Sequence, residues 1–205
     1  WGGKSLKVDF LPPSAGGPGE SYTKTIEQTR AALENLKSHF PAYDGRGYEI
    51  AGLIWFHGWN DHGDPSQYTE QFAHFIRDIR KEFNVPHMPV VIGQLGHGGM
   101  QNEIKAGSVA AAQAAVPEIP EFKGNVLCVS TRECWDKEAD GLFALWRQCR
   151  GAGDAAKRAA KSEEDIEACW APWKKAEPRW NEIASDRPYH YCGSGRCFYS
   201  MGKAM

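Results

Sequence analysis

Three short segments carry residue types suited to acyl-transfer chemistry. Gly58-Trp59-Asn60-Asp61 follows an apolar run. An asparagine amide at a strand end can donate a hydrogen bond to an oxyanion as it develops. Gly2-Gly3-Lys4-Ser5 stands at the start of the chain. A glycine there lets a backbone N–H approach a substrate oxygen, because no Cβ intervenes. Asp186-Arg187-Pro188-Tyr189-His190 lies near the other end. A loop histidine with a carboxylate nearby is the general-base half of a Ser-His-Asp arrangement. Each segment also has a plainer reading: Asn, Asp and Gly are common turn residues, and a lone histidine is more often structural or exposed.

Two further residues end apolar runs and could face a substrate, His57 and Gln94. His57 reads equally well as a strand-end histidine meeting solvent or a neighbour. The spacing of His57, His62 and His97 fits no metal-ligand pattern, so no metal site is expected. No cofactor is expected either.

The elements that must position these residues are legible from periodicity. Thr23 to Phe40 repeats apolar residues at helical spacing and is followed by Pro41. Tyr68 to Phe83 gives the clearest helix, with Tyr68, Phe72, Phe75, Ile76, Ile79 and Phe83 on one face. Ile104 to Val116 is alanine-rich and reads as a third helix. Tyr48 to Phe56, Met88 to Leu95 and Asn125 to Ser130 are short apolar runs suited to strands buried on both faces. Their alternation with helices predicts right-handed βαβ crossovers, a mostly parallel sheet and a three-layer α/β/α sandwich. Ligands in such folds bind at the carboxyl ends of the strands. That rule points to the loops after Phe56 and Leu95. A single domain over residues 1–205 is expected, with an irregular Trp- and Cys-rich insertion over about 132–185 and a helix over Gly193 to Met205.

Composition narrows the partners. With a net charge of −2, the chain has no basic patch suited to nucleic acid. The apolar run from Ile50 to Phe56 is far too short to span a membrane. Eight tryptophans offer flat apolar faces that suit sugar rings as well as cores. Six cysteines, an even number, slightly favour a secreted or extracytoplasmic setting, and they fit reduced thiols as well. Nothing in the sequence specifies an oligomeric state.

Taken together, the segments resemble the SGNH hydrolases, in particular the branch similar to sialate O-acetylesterases and carbohydrate esterase family 6. The resemblance rests on Trp1-Gly-Gly-Lys-Ser-Leu, Asp9-Phe-Leu-Pro-Pro-Ser, Ile50-Ala-Gly-Leu-Ile-Trp-Phe-His-Gly-Trp-Asn-Asp, Met88-Pro-Val-Val-Ile-Gly-Gln-Leu-Gly and Pro188-Tyr-His-Tyr-Cys-Gly-Ser. It implies a flavodoxin-like sheet and a serine esterase acting on an acetylated carbohydrate. It also implies roles: Gly3 and Asn60 as oxyanion-hole donors and His190 as the general base.

Two departures accompany the resemblance. The family's Gly-Asp/Gln-Ser block is absent, and none of Ser5, Ser14 or Ser21 occupies its place. The chain is therefore expected to begin after the nucleophile and the first strand, and to be inactive alone. In addition, Arg187 stands three residues before His190, where the family has Asp. Asp186 is the favoured carboxylate, with Asp61 or a backbone carbonyl as alternatives. A non-catalytic carbohydrate-binding or scaffold protein on the same fold is the rival reading.

Overall fold

The structure, a computed structural model, describes residues 2–205; Trp1, which opens the first motif, lies outside the described residues. The class is α/β, with an all-parallel three-stranded sheet and many helices, consistent with a three-layer α/β/α sandwich. The strands are β1 (Leu53–Trp55), β2 (Val90–Gln94) and β3 (Val126–Ser130), in that spatial order. Leu53 pairs with Val90, and Val90 with Val126.

The helices are α1 (Glu20–Glu34), α2 (Leu36–His39), α3 (Tyr68–Glu82), α4 (Val109–Ala115), α5 (Lys137–Arg158), α6 (Glu163–Ala168), α7 (Ala171–Ile183) and α8 (Gly195–Ala204). The chain divides into two compact units. One holds residues 2–95, 104–130 and 205; the other holds 96–103 and 131–204.

In the first unit, α3 buries the stripe read from its sequence: Tyr68, Phe72, Phe75, Ile76 and Ile79. These pack with Tyr22 and Ile26 of α1 and with Trp55, Val90, Ile92 and Val126 of the sheet. The long first helix is interrupted at Asn35, whose φ of −110° and ψ of 25° are not helical. Strand β1 is shorter than its apolar run. Pairing begins where Leu53 N donates to Pro89 O, and Pro89 on the neighbouring segment has no N–H to extend the ladder. The expectation of strands buried on both faces holds for β2, which is buried or half-buried throughout, while β1 and β3 are open on one face. Ile54 is 66% and Leu127 60% exposed there.

The second unit is mainly helical. Asp136 caps α5 by accepting from Ala139 N at 3.1 Å, and Ser162 caps α6 through Asp165 N at 3.1 Å. Phe143 and Trp146 stack at 5.2 Å, and Trp180 joins them from α7. All six cysteines are free thiols. No helix among the described residues is long and apolar enough to cross a membrane.

Candidate active-site residues

The loop after β1 turns sharply at Gly58, whose φ is +129°. A Cβ at this position would meet Val109 Cγ1 at 2.6 Å, so both the backbone angle and the space demand glycine. Residues Trp59–Asp61 then form a single 3-10 turn. Asn60 thereby stands at the carboxyl end of β1. Gly3, with φ of +74°, lies beside it: a Cβ built on Gly3 would be 3.9 Å from Asn60 Nδ2. Two candidate oxyanion donors, 57 positions apart in sequence, thus share one place.

What holds the Gly3 loop there is a buried carboxylate. Asp61 is 2% exposed, yet its oxygens accept from Leu6 N at 3.0 Å and from Lys7 N at 3.3 Å. His57 adds a second tie, with Nε2 3.0 Å from Lys4 O. Its other nitrogen, Nδ1, lies 3.4 Å from Tyr68 Oη. Burial holds the His57 ring below the usual histidine range, against the opposing pull of Asp61 and Asp9. On the loop itself, Asp9 accepts from Ser5 N at 2.9 Å and pairs with Lys4 at 3.0 Å. Those contacts, the Ser5 amide first, hold the Asp9 carboxyl below its ordinary range.

Gln94 ends β2 and is buried, with its amide donating to Ala110 O at 2.8 Å. Gln113, fully buried in α4, donates to His57 O at 2.7 Å and accepts from Leu95 N at 2.9 Å. It fastens the ends of two neighbouring strands. One polar residue in an alanine-rich helix was the signal that could have marked it.

In the second unit, His190 sits in a tight turn over Pro188–Gly193. Tyr191 and Cys192 follow it with φ of +54° and +57°. Such left-handed angles cost roughly 1–2 kcal/mol per non-glycine residue. Buried contacts hold them in place. Tyr191 Oη accepts from Gly96 N at 2.8 Å and lies 3.2 Å from Thr131 Oγ1. Cys192 O accepts from Ser185 N and Asp186 N at 2.9 and 3.1 Å. His97 packs on the Tyr191 ring at 4.6 Å and bonds Tyr189 O at 2.8 Å.

This turn brings Asp186 Oδ2 to 2.8 Å from His190 Nδ1, across four residues rather than three. The Arg187 amide and the His190 ring hold the Asp186 carboxyl below its ordinary range. With Nδ1 engaged, His190 Nε2 is the nitrogen free of that contact, as a general base requires. Asp61 is already committed to Leu6 and Lys7.

Several other hydroxyls and thiols can be placed. Ser5 Oγ donates to Asp9, and Ser14 Oγ lies 2.8 Å from His74 on α3. Burial pushes Cys192 up to about 12 and Cys197 and Cys128 up to about 11, so these thiols are poor nucleophiles at neutral pH. Among the described residues, no group of three or more His, Cys, Asp or Glu side chains could hold a metal ion.

A family model described as carbohydrate esterase, sialic acid-specific acetylesterase, matches residues 1–144. No curated protein matches the chain. Among solved structures, an X-ray structure of a protein from Arabidopsis thaliana matches at 20% identity with a TM-score of 0.43. The match covers 64% of this chain and 45% of that one, so this chain spans less than half of that protein.

Proposed function

The chain belongs to the carbohydrate esterase, sialic acid-specific acetylesterase family, and from that premise we propose that the full-length protein removes acetyl groups from carbohydrates through an acyl-enzyme. The observation that carries the reading is Asn60 Nδ2 standing beside Gly3 at the end of a parallel strand. Two potential donors standing side by side suit the oxygen of a tetrahedral intermediate.

In this reading the nucleophile is a serine hydroxyl outside residues 1–205. It attacks the acetyl carbonyl while His190 Nε2 takes its proton. Asp186 keeps that imidazole in the required tautomer and supports its positive charge. The Gly3 N–H and the Asn60 amide hold the oxyanion. Collapse expels the sugar alcohol, which receives the proton from His190. Water then repeats the sequence on the acyl-enzyme and releases acetate. Gln94, buried at the end of β2, supports the strand end from which substrate would be met.

The test is Asn60→Ala in the full-length protein, assayed on an O-acetylated sugar. Turnover is expected to fall about 10²–10³-fold with little change in KM. Unchanged turnover removes Asn60 from the mechanism. Saturable sugar binding without any acetate release by the full-length protein would instead favour a non-catalytic carbohydrate-binding role.

A further inference from the structure

We infer that His57 is a positioning residue: its ring forms a one-way hydrogen-bond relay that clamps the Gly3 loop against the Asn60 turn. The direction follows from donor and acceptor chemistry. Trp55 Nε1 can only donate, and it lies 3.1 Å from Tyr68 Oη. Lys4 O can only accept, and it lies 3.0 Å from His57 Nε2. His57 therefore carries its proton on Nε2. In the neutral ring Nδ1 is then an acceptor, and Tyr68 O–H is the donor that faces it at 3.4 Å. The relay runs from Trp55 through Tyr68 and His57 to the carbonyl of Lys4, the residue after Gly3.

Packing fixes the ring as firmly as the hydrogen bonds do. Phe10 meets it edge-on at 5.4 Å, and Trp55 lies at 4.9 Å. Tyr68 is itself 2% exposed, so the relay starts inside the core. Asp61 completes the clamp from the opposite end of the same turn, holding Leu6 N and Lys7 N. Lys4, Leu6 and Lys7 are thus gripped by residues on both sides of Asn60 in sequence. A donor displaced by about 1 Å can cost on the order of 10² in rate, so a rigid clamp has a purpose where an oxyanion is to be held. The inference rests on the esterase reading only for what the clamp positions.

The experiment compares full-length His57→Phe and His57→Gln with the unaltered protein. Phenylalanine keeps the ring packing and removes the donor; glutamine supplies an N–H in place of Nε2. Amide hydrogen exchange is followed at Leu6 and Lys7, with the α3 core amides as a check on global unfolding. In His57→Phe, exchange at Leu6 and Lys7 is expected to quicken about tenfold or more while α3 is unchanged. Turnover on an O-acetylated sugar falls about 10–10²-fold at nearly constant KM. His57→Gln recovers both to within about fivefold, as the donor is restored. Unchanged exchange in His57→Phe overturns the clamp, as does a His57→Gln protein as loose as His57→Phe. Should the unaltered full-length protein release no acetate, the esterase reading falls, while the exchange measurement still decides the clamp.

Discussion

His57 and Asp61 stand four residues apart on one loop, and Asp186 and His190 stand four apart on another, yet the two pairs do different work. The first pair is buried: the side chains are 13% and 2% exposed and 3.8 Å apart. The second is open: they are 47% and 58% exposed and 2.8 Å apart. Burial forces every polar atom of the first pair to find a partner inside the protein. Asp61 and His57 are consequently spent on backbone groups of residues 4–7. Exposure leaves the second pair able to exchange a proton with a substrate or with water. The same two residue types serve as a brace where water is excluded and, in the proposed mechanism, as the acid–base pair where it is not.

The largest effect that tests this contrast comes from Asp61→Ala. It strips partners from buried backbone donors and should cost about 2–3 kcal/mol in urea unfolding. Asp186→Ala, removing one member of an exposed pair, should cost less than about 1 kcal/mol. Equal losses would break the distinction between brace and reactive pair. A smaller effect is expected in the turn that carries His190. Tyr191→Phe removes the acceptor for Gly96 N and the neighbour of Thr131, and should lower stability by about 1 kcal/mol. An unaltered unfolding midpoint would mean that the turn is held by packing alone.

The smallest effect is a slope. His57 binds its proton near pH 6.5 when unfolded and only at lower pH when folded. Between those two values the unfolded chain holds more protons, so stability falls as pH drops below about 6.5. His57→Gln lacks this group. Its urea midpoints should change less between about pH 7 and pH 5. Asp186 acts in a separate window: its lowered carboxyl contributes above its ordinary value of 3.8 and loses that contribution only as pH falls below it. Identical slopes for the two proteins would place His57 in a less buried setting.

Much of this molecule is legible in its sequence, and the illegible part has a physical cause. Helix α3 is written in its own periodicity, and its stripe is the one that packs. Strand β1 is written too long, because the proline that ends its ladder, Pro89, lies on the neighbouring segment, more than thirty positions away in a run read as a strand itself. Asn60 and Gly3 stand out through residue type, and the fold brings them together. Asp61 does not stand out as a brace, since the groups it binds are backbone amides 55 residues away, which any residue other than proline would supply. Asp186 was readable as a neighbour of His190. The left-handed pair Tyr191 and Cys192 that follows the ring is a conformation that neither residue type advertises.

Position 58 has a consequence for how this chain can change over generations. Its backbone angle and the 2.6 Å approach of Val109 leave room for one amino acid alone. Any substitution there must wait for a change in α4, and even a smaller partner at 109 would leave the backbone angle unfavourable. This position is locked by two independent bolts. Asn60, two residues on, inherits that fixity without having to enforce it.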